Sequence, residues 1–432
     1  MVHWEKTRKF VVKVVLINKS DSVGGASVAA YRLTAALHNQ NVDAKLLVSE
    51  GMESVLVEVV NKSYFSQQKA YIRQLFERLY FLPFEKNAIE RFSFSPANTG
   101  MDLSNHPLVK EADIIHLHWI NQGFISVKGL QKLFSLGKPI VWTLHNMWAF
   151  TGGCHYNGSC HEFLESCGYC RFLKKPHGND LSARIYKKKK KLYKNTNIQW
   201  VTCSKWLKSL AVESSLIRNK PCTIIPNPID TDFYRPMDKM ECRDKLKLPK
   251  DKKLLLFGAA NINDPRKGIR YLAEALEILH ENFPVFHDKL ELVVFGKAKP
   301  GDHLPFPFKT HFRRYITDVK TLVQLYNACD AYVLPSLQDN LPNTVMESMA
   351  CATPVIGFRI GGVPEMIEHE KSGYLSEVRN ALSLSTGIYE TLFINNAEEM
   401  GLYAREKVLE SYSEEKVAKQ YIEVYHKAME GQ

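Results

Sequence analysis

Ser336-Leu-Gln-Asp339-Asn-Leu-Pro342-Asn-Thr-Val-Met-Glu347-Ser-Met-Ala350-Cys-Ala-Thr-Pro354-Val-Ile-Gly357 is the stretch on which the reading of this chain turns. An apolar run, Ala331 to Pro335, comes before it and reads as a buried strand. Asp339 and Glu347 stand on either side of a helix start, and a second apolar run, Pro354 to Phe358, closes the segment. Strand, turn, helix, strand is the repeating unit of a parallel α/β sheet. A helix N-terminus at such a turn offers backbone N–H donors in a positive field, which suits a diphosphate. Sugar hydroxyls want acceptors, and carboxylates make the stronger, charge-assisted bonds. Two acids around a helix start therefore fit a nucleotide sugar. A structural alternative stays open, because Thr344-x-x-Glu347 also fits a capping box in which Glu347 only reaches back to a cap N–H.

The surrounding sequence repeats this arrangement. Gly361-Gly-Val-Pro-Glu365 follows the run Pro354 to Phe358, and Gly258 and Gly296 each end an apolar run of their own. In an open α/β sheet, ligands collect at those carboxyl ends. Asp264-Pro-Arg266-Lys267-Gly268 follows the strand ending at Gly258 and opens a helix, Ile269 to Leu279. Basic side chains at a helix start oppose its dipole, so Arg266 and Lys267 call for an anion there. They are suited to stabilising a departing diphosphate. Nearer the N-terminus, Gly24-Gly25 comes after the strand Phe10 to Ile17 and permits a tight turn with close backbone approach to a ligand. His145 lies just past the strand Pro139 to Leu144, where it reads either as a site-lining imidazole or as an ordinary core histidine.

Strand-like runs alternate with helical segments along all 432 residues, more than one core usually supports, so two domains are expected. The first series runs through Phe10 to Ile17, Ala44 to Val48, Asp113 to His118, Pro139 to Leu144, Gln199 to Cys203 and Thr223 to Ile225, with a helix from Gly25 to Asn39. Pro226-Asn-Pro228-Ile-Asp230 then interrupts it as a linker. The second series runs through Lys253 to Phe257, Leu290 to Phe295, Ala331 to Leu334, Pro354 to Phe358 and Gly373 to Leu375. A last amphipathic helix is expected from Ser413 to Tyr425.

The acid-x7-acid pattern of Asp339 and Glu347, the run Met349-Ala-Cys-Ala-Thr-Pro-Val355, and Gly361-Gly-Val-Pro-Glu365 resemble the donor-site signature of retaining nucleotide-sugar glycosyltransferases, family 4. Gly24-Gly-Ala-Ser27 and His145 agree with it, so the resemblance runs from about Val11 to near Tyr412. His116-Leu-His-Trp119 and Trp142-Thr-Leu-His-Asn-Met-Trp148 look like a bacterial polysaccharide-biosynthesis subgroup. This resemblance implies a GT-B fold, two facing Rossmann-like domains with a cleft between them. Residues 1–228 would form the acceptor domain, with helix 410–432 packing back on it, and residues 229–409 the donor domain. It further implies that Asp339 meets the hexose hydroxyls and Glu347 the ribose. Asn340 and the backbone N–H groups of Leu341, Asn343 and Thr344 would line the phosphates, and His145 would sit near the anomeric carbon. Three positions depart from the family pattern: Asp339 stands for the usual Glu, Asn340-Leu341 for the usual Gly-Phe, and Asn261-Ile-Asn263 where an Arg often precedes the Lys. A nucleotide-sugar epimerase on the same fold and a non-catalytic sugar-nucleotide or lipid-binding module are the rival readings.

Bulk properties narrow the surroundings. With 45% hydrophobic and 24% charged residues and no apolar run long enough to span a bilayer, the chain reads as globular and cytoplasmic. A net charge of +11 calls for anionic partners. The donor motifs point to a nucleotide sugar, with a glycan or lipid-linked acceptor and no nucleic acid. The unbroken run Lys187 to Lys191 reads as a solvated helix face, with contact to the anionic inner face of a membrane as the functional alternative. Tyr71, Ile72, Leu75, Phe76, Leu79, Tyr80 and Phe81 recur at near-helical spacing, a stripe whose ordinary use is core packing. Nine cysteines in a cytosolic chain are not expected to form disulfides. Cys154, Cys160, Cys167 and Cys170 are clustered with a short Cys-x2-Cys arm, which fits a structural zinc site as well as four free thiols. No cofactor is expected for the chemistry itself.

Overall fold

The computed structural model describes residues 12–88, 90–297 and 306–430. Phe10 and Val11, the first residues of the expected opening strand, lie outside the described residues. The described parts of Met1–Cys203, Leu207–Ile225 and Val417–Gln432 form one compact unit, and those of Ser204–Trp206 and Pro226–Lys416 form a second.

Seven parallel strands make the sheet of the first unit: β1 (Lys13–Ser20), β2 (Asp43–Glu50), β3 (Val57–Val59), β4 (Ile114–Leu117), β5 (Ile140–Leu144), β6 (Ile198–Thr202) and β7 (Cys222–Ile224). Their order is β3-β2-β1-β4-β5-β6-β7. The second sheet has six parallel strands: β8 (Lys253–Asn261), β9 (Leu290–Lys297), β10 (Thr310–Arg313), β11 (Ala331–Leu334), β12 (Val355–Phe358) and β13 (Gly373–Ser376). Its order is β10-β9-β8-β11-β12-β13. Each sheet grows first to one side and then restarts on the other side of its first strand, the doubly wound Rossmann order. The fold reversal falls between β1 and β4 in one unit and between β8 and β11 in the other. Both expected α/β units are therefore present.

Short apolar strands covered on both faces account for the near-continuous hydrophobic runs read in the sequence. Val14, Leu16, Leu33, Leu37 and Leu46 share one buried cluster with Val417, Tyr421 and Tyr425 of the final helix, Glu414–Glu430. That helix is fastened by polar contacts as well. Tyr425 Oη lies 2.8 Å from His116 Nδ1, and Tyr421 Oη lies 2.9 Å from Thr143 Oγ1. Leu255, Phe257, Leu272, Leu276, Val333 and Ile356 belong to the core of the second unit.

Three sequence expectations are corrected. β3 and β10 were not foreseen: they are edge strands of three and four residues, too short for periodicity to register. The apolar stripe of helix Tyr64–Phe81 does not pack into a core. Tyr64, Phe65, Tyr71, Ile72, Leu75, Phe76, Leu79 and Tyr80 are exposed, and only Glu77 and Phe81 are buried. The lysine run lies on helix Leu181–Tyr193 with Lys187, Lys188, Lys190 and Lys191 in solvent, but Lys189 points inward and is fully buried.

Replacing Tyr425 by Phe would remove a bond to a buried imidazole, so the variant is expected to lose about 1–3 kcal/mol of stability. Urea melts of the full chain read this directly, and an unmoved midpoint would show that the helix is held by apolar packing alone.

Candidate functional site

Three loops of the second unit meet where its sheet reverses. After β8 the chain makes a single turn of 3-10 helix, Pro265–Lys267, before helix Ile269–Asn282. Gly268 joins them at φ +68°, and a Cβ built there would lie 1.8 Å from the Pro335 carbonyl oxygen. Only a glycine lets this turn rest directly on the end of β11. Leu337 N–H donates to the Arg266 carbonyl at 2.7 Å and completes the junction. On the other side, Gly361 at φ +51° stands against the Asp339 carbonyl in the same way, and Gly362 N–H donates to the Asn340 carbonyl at 2.9 Å. The loop carrying Asp339 and Asn340 is thus gripped by backbone on two sides.

Lys267 Nζ lies 2.8 Å from Asp339 Oδ2, and both groups keep partial access to solvent. Arg266 is more exposed and closes on Asp264, with Nη2 2.6 Å from Oδ2. Burial tends to raise the Asp264 pKa, but the Arg266 hydrogen bond and charge bring it below the usual carboxylate value. The basic pair and the first acid of the motif are therefore brought together at the switch point.

Glu347 is placed by a different contact. Its helix, Asn343–Ala350, starts from Pro342 with no side-chain cap, so the capping box allowed by Thr344-x-x-Glu347 does not form. Glu347 is buried and accepts a hydrogen bond from Tyr326 Oη at 3.0 Å. Burial, with the Glu347 charge beside it, drives the Tyr326 pKa well up, which keeps that hydroxyl a donor. Thr344 pairs with the buried Tyr332 hydroxyl, and Asn343 Oδ1 accepts from Asn227 Nδ2 at 3.0 Å. Leu341 and Asn340 are buried in the same loop. Tyr326 was missed by sequence reasoning, since one tyrosine in an amphipathic helix gives no signal of its partner.

In the first unit, Gly24 precedes helix Gly25–Asn39 at φ +91°, with no side-chain cap at that end. Buried Asn18 ties this turn to the end of β4: its Nδ2 donates to Ser27 Oγ at 2.9 Å and its Oδ1 accepts from Trp119 N–H at 2.9 Å. His145 follows β5, with Nε2 3.0 Å from His118 Nδ1 and Nδ1 3.6 Å from Cys203 Sγ. His116 continues the group, its Nε2 2.8 Å from Thr143 Oγ1. Burial lowers His145 to about 4 and His116 to about 3, and it pushes His118 down as well. All three imidazoles are neutral near pH 7, so His145 offers a hydrogen bond rather than a charge. His116 and His118 were legible as a motif but not as supports for His145, because an i, i+2 spacing on a strand does not reveal what lies on the next one.

The four cysteines all border one cavity, together with Phe94, Gly152 and Phe172. Among the described residues no three His, Cys, Asp or Glu side chains already form a group that could hold a metal. No described helix is long and apolar enough to cross a membrane.

Comparison with known proteins agrees with this architecture. Residues 23–233 match the model described as Glycosyltransferase Family 4, and residues 251–392 match the one described as Glycosyl transferases group 1. An uncharacterized glycosyltransferase of Methanocaldococcus jannaschii is 28% identical over 208 residues, covering 45% of this chain and half of that protein's length. WcaC of Escherichia coli, a glycosyl transferase named for colanic acid biosynthesis, is 25% identical over 334 residues, 74% of this chain and 76% of its own. Among solved structures, HepE of Anabaena in complex with UDP-glucose has the same fold, with a TM-score of 0.63 and 15% identity over 96% of this chain and 99% of its own.

The buried imidazoles set a pH dependence. An unfolded histidine takes up a proton near pH ~6.5, whereas His145 and His116 stay neutral down to about 4 and about 3. In that window the unfolded chain binds more protons, so stability is full above it and is lost as pH falls from about 6.5 toward about 4. Replacing His145 by Gln is expected to reduce the slope of stability against pH by up to about 1.4 kcal/mol per pH unit in that window. Urea melts at several pH values between those limits test this, and an identical slope in the variant would refute the buried neutral state.

Proposed function

Since the chain belongs to the family 4 and group 1 glycosyltransferases, we propose that it moves a hexose-type sugar from a nucleotide diphosphate to a hydroxyl of a glycan or lipid-linked glycan, with retention of configuration. The observation that carries this reading is the Lys267–Asp339 pair at the switch point of the second sheet, 8 residues before the buried Glu347. A cation for phosphate and two acceptors for hydroxyls are what a sugar joined to a nucleotide by a diphosphate requires.

In this reading Arg266 and Lys267 meet the diphosphate and stabilise its charge as the sugar leaves. The helix start at Asn343 and the backbone N–H groups of Leu341, Asn343 and Thr344 supply neutral donors to the same phosphates. Asp339 accepts from the hexose and Glu347, oriented by Tyr326, from the ribose. Gly24 and Gly25 let backbone approach the donor, and neutral His145 hydrogen-bonds the transferred sugar. The acceptor oxygen bonds to the anomeric carbon on the face from which the diphosphate departs, and its proton passes to the released diphosphate oxygen. Every step proceeds without a metal in the chemistry.

The relative named for colanic acid biosynthesis supports a role in cell-surface polysaccharide assembly. UDP-glucose in a neighbour of the same fold supports a uridine donor. Reaction on the cytoplasmic side with peripheral membrane contact fits the exposed aromatic face of helix Tyr64–Phe81. The lysine-bearing helix lies beside its end, with the Arg184 guanidinium 5.7 Å from the Phe84 ring centroid.

Thermal shift against UDP-, GDP- and ADP-sugars tests the donor. At about 100 times Kd a ligand that binds only the folded chain adds about 2.7 kcal/mol. Replacing both Arg266 and Lys267 by Ala is expected to abolish the shift, and a full response in that variant would remove their phosphate role. Glu347→Ala should lose transfer to acceptor, whereas conversion of donor alone by the wild type would mark an epimerase.

A further inference from the structure

The segment after His145 leaves β5 and does not return to regular structure, apart from two short 3-10 turns, until helix Leu181–Tyr193. It carries Cys154, Cys160, Cys167 and Cys170, all free thiols. All four border one cavity, although they are separated by up to 16 residues. We propose that these four cysteines bind a single zinc ion as a tetrathiolate that fastens this loop to the first unit.

The backbone around the thiols is arranged for bonded sulfur. Cys167, Gly168 and Tyr169 take consecutive positive φ values of 54°, 133° and 46°. Such a run is costly for the two residues that carry a Cβ, and it curls the Cys-x2-Cys arm so that both sulfurs border the cavity. Gly152 N–H donates to Cys167 Sγ at 3.1 Å, and the Phe172 N–H donates to the Cys170 sulfur. These donors fix where the two sulfurs sit beside the cavity.

The charges nearby complete the argument. A zinc ion with four thiolates carries a net charge of −2, which a buried site must balance. Lys189 is fully buried, and the acceptors of its ammonium among the described residues are backbone carbonyls. Its Nζ donates to the carbonyls of Trp148 and Thr151 and lies 3.4 Å from the centroid of the Trp148 ring. Cys154 and Cys167 are its sulfur neighbours. Arg171 lines the same cavity. Two basic side chains beside four thiols supply positive charge of the sign such a dianion needs. The histidines of the segment are used elsewhere: His155 Nε2 is 3.0 Å from Ser95 Oγ, and His161 is exposed and outside the cavity lining. This selects four sulfurs over a mixed Cys/His set. Loading requires the thiols to turn inward, each losing its proton to solvent as its Zn–S bond of about 2.3 Å forms, four protons per ion.

Such a clasp bears on the candidate site through the chain itself. Met147 N–H donates to the His155 carbonyl at 2.9 Å, and Asn157 N–H lies 3.3 Å from Met147 Sδ, so the loop braces the residues that follow His145.

The full chain, purified without chelators from zinc-supplemented culture, is expected to hold one zinc per molecule after gel filtration. Mercurial titration of its thiols should release that zinc. Cobalt exchanged into the site should give the absorption of a tetrahedral thiolate complex. Replacing Cys167 and Cys170 together by Ser should lower the metal to background, while replacing Cys222 and Cys242 should leave it unchanged. Because the first variant could unfold for other reasons, the wild type stripped with a chelator is melted as well. Its melting temperature should fall and recover with zinc but not with magnesium. Background zinc in the wild type, zinc retained by the Cys167/Cys170 variant, iron in place of zinc, or a melting temperature indifferent to stripping would each overturn the proposal.

Discussion

A parallel sheet that reverses its strand order must send two neighbouring connections to opposite faces, and the gap this leaves at the strand ends cannot be filled by the sheet itself. In the second unit that gap lies between β8 and β11, and the placement of Lys267 and Asp339 follows from it. Gly268 and Gly361 allow the bordering loops to touch the Pro335–Asn340 segment backbone to backbone. No side chain lies between them, so the positions of Lys267 and Asp339 are set by main-chain geometry. Substitutions in the surrounding core can therefore vary widely while this spacing persists. That freedom is consistent with a neighbour of only 15% identity sharing the fold.

The fold was legible because both sheets are parallel and covered on each face, so the central strands are mostly apolar runs. β3 and β10 escaped because an edge strand of three or four residues carries no such run. The stripe on helix Tyr64–Phe81 was misjudged for a related reason: periodicity reports that one face is apolar, but not what lies opposite that face. Here the buried contacts are Phe81 and the carboxylate of Glu77, which accepts from Gly123 N–H at 2.7 Å. The inward turn of Lys189 follows from helical spacing with Ile185 and Tyr193, both buried, which outweighs the polarity of its neighbours.

At the candidate site the residue types were readable and their partners were not. Asp339 with Lys267 spans 72 residues, Glu347 with Tyr326 spans 21, and His116 with Tyr425 spans 309. Local pattern cannot encode such pairings, and for Glu347 it left open a local partner that the helix start at Pro342 removes. The histidine group illustrates the converse. Imidazoles in contact would repel one another if charged, and burial keeps them neutral, so the arrangement is compatible with close packing only because none carries a second ring proton.

The pairing of Lys267 with Asp339 has a consequence for discrimination. Their mutual attraction satisfies both charges before anything arrives, so the pair is already electrically quiet. An inorganic anion that captured the ammonium would strand the carboxylate, and a neutral sugar that captured the carboxylate would strand the ammonium. A molecule bearing a phosphate at one end and a polyol at the other relieves both at once. Under the function proposed above, the ion pair would work as a coincidence detector, one that admits a bifunctional visitor and turns away its separate halves.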